Sequence, residues 1–195
     1  MDLALFDFDG TITNKDSLAD FIQFAVGNPK YYFGLLTLSP ILLAYTFKFV
    51  PNHIAKRNLI SYFFKNMDAQ EFQKTADTYS LNELNKIIRP AALEKIQWHK
   101  DKGDKIVVVS ASMQAWLQAW CHQHDLELIC TRLEIKNNKL TGAFETKNCH
   151  GKEKEIRVKS ALCLQDYQTI YAYGDSKGDK ELLALANESF YKPFR

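Results

Sequence analysis

Residues 5–13 read Leu-Phe-Asp-Phe-Asp-Gly-Thr-Ile-Thr, an apolar run that ends on two aspartates one residue apart. In a strand, residues two apart point to the same side, so Asp7 and Asp9 can address one spot. Gly10 lets the backbone turn away at once, and Thr11 adds a hydroxyl. Two carboxylates at the end of a buried strand are costly unless a cation or a chemical task holds them there. In open α/β sheets that carboxyl edge is also where ligands bind. The stretch therefore predicts a buried strand carrying a metal-assisted enzyme site at its end.

The second half of the chain supplies the rest of a sheet. Lys105-Ile-Val-Val-Val-Ser110 is a β-branched run of the kind a buried parallel strand needs. A helix is expected over 114–124, a strand over 126–129 and a hairpin around Asn137-Asn138 within 134–144. A helix over 152–164, a strand over 169–173, a helix over 179–186 and a strand over 190–194 complete the series. Between the first strand and this alternation lie helical patterns at 16–25, 54–65, 69–79 and 91–102. Residues 31–47 carry no charge and contain Pro40, which predicts two short helices or one kinked helix. The expected fold class is a three-layer α/β domain, a Rossmann-like parallel sheet with a helical cap inserted after its first strand. Residues 1–16 and 91–195 form its catalytic core, and 17–90 its cap.

Three apolar strands thus end in polar residues: Asp7 and Asp9, Ser110, and Asp175. Placed side by side, they gather oxygen ligands of the sort a hard cation such as Mg2+ prefers. Such an ion neutralises a phosphate, allowing one aspartate to attack it and a second to move the proton. A hydroxyl and a lysine would hold the remaining phosphate oxygens, and Lys152 and Lys154 both stand at the start of a predicted helix.

A net charge of +2, from 25 basic and 23 acidic residues, speaks against a nucleic-acid binder. Cys121, Cys130, Cys149 and Cys163 form no C-x-x-C pair, which fits reduced thiols in a cytoplasmic protein. No basic segment precedes the first apolar run, so no secretory leader is expected. The segment Tyr31–Phe47 reads either as cap core or as peripheral membrane contact. It is shorter than the ~20 apolar residues a bilayer span requires, and a proline interrupts it.

These motifs, in this order, resemble the haloacid dehalogenase (HAD) superfamily of phosphatases. The first is Asp7-Phe8-Asp9-Gly10-Thr11, the second centres on Ser110, and the last is Gly174-Asp175-Ser176-Lys177-Gly178-Asp179. The stretch Asn148-Cys149-His150-Gly151-Lys152-Glu153-Lys154 is similar to subfamily IB, the phosphoserine-phosphatase-like branch that also includes a bacterial lipid-phosphate phosphatase. The resemblance implies Asp7 as nucleophile and magnesium ligand, and Asp9 as general acid/base with its carbonyl on the metal. It further implies that Ser110 binds the phosphoryl group, Asp175 binds magnesium, and Asp179 supports the metal site, unless Asp179 serves only as a helix cap. Its pattern selects Lys154 over Lys152. Asp16, Arg57, Ser110 and Ala111 are the implied substrate contacts, although Asp16 equally suits a helix N-cap. The substrate would be a small-molecule or lipid phosphomonoester. A phosphomutase or phosphotransferase shares the aspartyl-phosphate step, and a receiver-like phospho-acceptor shares the residue types.

Overall fold

A computed structural model describes residues 1–195. The chain begins with β1 (Leu3–Phe6), then α1 (Ser17–Val26), α2 (Asn28–Thr37), α3 (Ser39–Thr46), α4 (Asn52–Phe64), α5 (Ala69–Asn82) and α6 (Pro90–Asp101). It continues through β2 (Lys105–Met113), α7 (Gln114–Gln123), β3 (Glu127–Thr131), β4 (Leu133–Lys136) and β5 (Lys139–Phe144). Last come α8 (Lys152–Ala161), β6 (Ile170–Gly174), α9 (Lys180–Leu183) and β7 (Glu188–Tyr191). Five strands form one parallel sheet in the order β3-β2-β1-β6-β7. The chain reverses direction across the sheet at β1, and such switch points open a crevice at the carboxyl edge.

Alternation along the strands builds the three layers. Leu3 and Leu5 of β1, with Val107 and Val109 of β2, face one apolar cluster that includes Val158 of α8 and Leu182 of α9. Ala4, Phe6, Ile106 and Val108 face the other cluster, with Trp116 and Trp120 of α7 and Ile96 of α6. Both faces are covered, which is why these strands read as continuous apolar runs. Phe21 of α1 stacks on Trp116 with ring centroids 4.6 Å apart, tying the inserted helices to this second face.

Within residues 31–47 the structure chooses two helices. α2 ends at Thr37, and Pro40 lies in the first turn of α3, where its missing N–H is not needed. The predicted hairpin is β4–β5, turning through Asn137 and Asn138 at φ 51° and 58°. It is fastened to the end of α4: Asn66 N–H donates to Leu140 O (2.8 Å) and Leu140 N–H to Met67 O (3.0 Å). Gly142 (φ 83°) lies so close to α4 that a Cβ there would stand 2.8 Å from Ser61 Cα.

Four elements differ most from the sequence reading. β2 continues past Ser110 to Met113 through a shift of register against β3. α8 ends at Ala161, and the last helix is only Lys180–Leu183. The edge strand is Glu188–Tyr191 rather than 190–194, because backbone pairing of Tyr171 with Glu188 and Gly174 with Tyr191 sets it. Phe194 instead packs its ring beside Phe6 and Tyr173.

Candidate active site

Register brings the polar strand ends together. Phe6 pairs with Val108 on one side and with Tyr173 on the other. Asp7 therefore leaves the sheet between Ser110, two residues past Val108, and Asp175, two residues past Tyr173. Asp7 N–H donates to Tyr173 O (2.9 Å), and residues 8–12 then make a wide turn with Gly10 at φ 84°. A Cβ on Gly10 would stand 2.5 Å from Asp175 Oδ2, so only glycine lets this turn pass the second carboxylate.

Lys154 is the hub. It is buried at the start of α8, and its Nζ donates to Asp7 Oδ1 (2.6 Å) and Asp179 Oδ1 (2.7 Å). Lys152 is exposed and pairs only with Glu155. The other oxygen of Asp7 accepts from Thr11 Oγ1 (2.8 Å). Asp179 Oδ2 accepts from Ser176 Oγ (2.8 Å) and from the N–H groups of Ser176 and Asp175. Asp179 thus caps its own turn and also holds Lys154. Carboxylate oxygens of Asp7, Asp175 and Asp179 lie within 4.8 Å of one another.

The carboxylate of Asp9 stands apart from this cluster. It accepts from Ser17 N–H (2.7 Å) and Ser112 Oγ (2.5 Å), and Ser17 Oγ in turn accepts from Trp116 Nε1 (3.2 Å). Ser110, fully buried, accepts Ser112 N–H on its hydroxyl oxygen (2.9 Å), which leaves the hydroxyl proton free to donate.

Electrostatics show what the cluster lacks. Burial pushes Asp7 up to about 7, with Lys154 opposing the shift and Asp179 adding to it. Burial, and then the Asp179 charge, also raise Asp175, against the pull of Arg195 Nη2, which pairs with Asp175 Oδ2. Burial alone would depress Lys154, but Asp7 and Asp179 hold it well above the usual lysine value. Burial would raise Asp179, yet Lys154 keeps it below its ordinary value. Asp7, Asp175 and Asp179 against Lys154 and Arg195 leave negative charge in excess. A small oxygen-seeking cation fits that donor set.

α1 and α4, with α2 and α3, wall a chamber. Asp16 is the N-cap of α1, accepting from Leu18 N–H (2.9 Å) and Ala19 N–H (3.1 Å), and it also lines that chamber, of about 260 Å³. Its side chain is exposed, with the charges of Asp9 and Lys56 nearby. Arg57 is exposed on α4, while its neighbour Lys56 is buried and donates to Ala111 O (3.4 Å). Ala111 O also accepts from Thr131 Oγ1 (3.1 Å), so the carbonyl of that predicted substrate contact is already engaged. Reading from residues alone missed Lys56, Ser17, Ser112 and Arg195. Lys56 had a signal: with Ile60 and Phe64 it recurs every four residues on the buried face of α4. Ser112 had one as well, two residues after Ser110 in the same strand.

Fold and site together define a three-layer α/β domain with an aspartate cluster at the carboxyl edge of its parallel sheet. The chain belongs to the haloacid dehalogenase-like hydrolases, whose family profile matches residues 4–184. It is 33% identical over 195 residues to Protein CicA of Caulobacter vibrioides, covering 99% of this chain and 86% of that protein. Its fold is similar to that of a protein of unknown function from Bordetella pertussis Tohama I (TM-score 0.80, 21% identity, 96% of this chain and 87% of the other). It is also similar to a phosphoserine phosphatase solved as an analogue of its phospho-aspartyl intermediate (TM-score 0.69, 20% identity, 96% and 84%).

Proposed function

We propose that this protein is a magnesium-dependent phosphomonoester hydrolase working through an aspartyl-phosphate on Asp7. The observation that carries the reading is a buried lysine bridging Asp7 and Asp179 while Asp175 crowds the same spot. Lys154 and Thr11 fix the Asp7 carboxylate for attack on phosphorus. The ester bond to the leaving oxygen breaks as Asp9 gives that oxygen a proton. Asp9 then takes a proton from water, which attacks the acyl-phosphate and frees Asp7 and inorganic phosphate. Ser17 and Ser112 hold Asp9 for both transfers, and Ser110 donates its free proton to a phosphoryl oxygen.

Asp7, Asp175 and the Asp9 carbonyl would hold magnesium, which neutralises the phosphoryl charge when bound. Asp179 already spends its oxygens on Lys154, Ser176 and backbone N–H groups, so it supports the site from behind. Residues 17–90 act as a cap over the core. Their chamber, lined by Leu18, Ile22, Tyr31 and Leu42 with Asp16 and Lys56, suits a leaving group that has an apolar portion. Free cysteines, three of them buried, favour a cytoplasmic setting.

Phosphate release from a panel of phosphoserine, sugar phosphates and detergent-solubilised lipid phosphates tests the reading. Release should require magnesium, stop on chelation, and pass through a protein-bound phosphate that hydroxylamine removes. A folded protein inactive on every member with magnesium present would overturn it. A second prediction concerns the cap. Lys56→Met should raise KM about tenfold or more, as loss of a charge-assisted contact would, whereas Arg57→Met should leave KM unchanged. Equal effects of the two substitutions in steady-state kinetics would remove Lys56 from the site.

A further inference from the structure

We propose that the outer face of α2 and α3 is a docking surface for an anionic lipid–water interface. The inner faces of these helices meet the chamber through Tyr31, Leu35, Leu42 and Tyr45. Their outer faces should then be polar, as on any helix half in water. They are not: Phe33 is 67% exposed, Leu36 71% and, just after α3, Phe49 83%, with Tyr32, Leu43 and Phe47 beside them in the chain. No residue of α3 is completely buried. An apolar surface of this kind rimmed by charge marks an interaction site.

Charge identifies the partner. Residues 21–67 contain none of the chain's 23 acidic residues, yet they include Lys30, Lys48, Lys56, Arg57 and Lys65. All of these but Lys56 are exposed. A second copy meeting this face about a two-fold axis would set the same cationic rim against itself. An anionic lipid surface attracts the rim and accepts the aromatic side chains. The helices are short, and no helix of the chain is long and apolar enough to cross a membrane. The geometry is that of helices lying on the interface. Docking in this way would leave the chamber one helix-width from the lipid.

The test is co-sedimentation of the full chain with vesicles of phosphatidylcholine alone and of phosphatidylcholine mixed with phosphatidylglycerol. Binding should be confined to the mixed vesicles and fall about tenfold at high salt. The double substitution Phe33→Glu and Phe49→Glu should weaken binding about tenfold or more, with the circular dichroism spectrum and melting temperature retained. Lys30→Glu with Lys48→Glu should weaken it too. Absence of binding by the folded wild type, equal binding to neutral vesicles, or indifference to the Phe substitutions would overturn the proposal. So would a gel-filtration dimer, broken by Phe33→Glu, that ignores vesicles. None of these outcomes depends on the proposed phosphatase reaction.

Discussion

Asp7→Asn should reduce phosphate release by about 10⁴-fold or more, because the proposed covalent intermediate forms on Asp7. It should do so without unfolding the protein. Asp7 is buried among like charges and pushed up toward neutrality by that burial, so the charged form gains little from its place in the fold. Asparagine keeps the shape: its Oδ1 can still accept from Lys154 while its Nδ2 can donate to Thr11 Oγ1, and Lys154 keeps its ion pair with Asp179. Relief of crowding against Asp175 and Asp179 offsets the lost pair. The melting temperature should therefore stay level or rise while turnover and the protein-bound phosphate both vanish. Residual turnover near wild type would move the nucleophile elsewhere, and a large loss of stability would make Asp7 a structural group.

The sheet and the carboxylates that cluster at its edge were legible because each depends on local pattern. Runs such as 105–110 declare themselves by β-branched continuity, and Asp7 and Asp175 stand directly at strand ends, whereas Asp9 lies in the turn after β1 and its carboxylate points to Ser17 and Ser112. Pairing of β1 with β2 and β6 then follows from topology rules, so residues ~100 positions apart in sequence converge without a sequence signal of their own. The cap was harder to read. Arg57 drew attention as a cation, whereas Lys56 is the cation that its phase on α4 buries. Arg195 reaches Asp175 only because β7 folds back along β6, and no spacing in the chain announces that. Edge strand β7 was displaced for a related reason: its residues are all exposed, so pairing rather than hydrophobicity sets its limits. Asp16 had two readings, and the structure satisfies the capping one while leaving the side chain on the chamber wall.

Lys154→Met should be costly in both activity and stability, which separates it from Asp7→Asn. The lysine's stem is enclosed, and its Nζ is the shared partner of two buried carboxylates. Methionine fills most of that space and removes the charge, leaving Asp7 and Asp179 facing each other with burial already raising Asp7. Removing one member of a buried ionic cluster in this way costs about 3–5 kcal/mol. One of the two acids would respond by holding a proton, at the expense of the nucleophile. Turnover should fall about 10³-fold or more, since both the charge stabilisation and the fixed orientation of Asp7 are lost. Lys152→Met is the matched control: that side chain is largely in solvent and pairs only with Glu155, so stability and turnover should hardly change. Denaturant unfolding and steady-state kinetics of the two variants decide the matter. Similar losses in both would spread the role over the helix start, and a stable, active Lys154→Met would show that the bridge between Asp7 and Asp179 is dispensable.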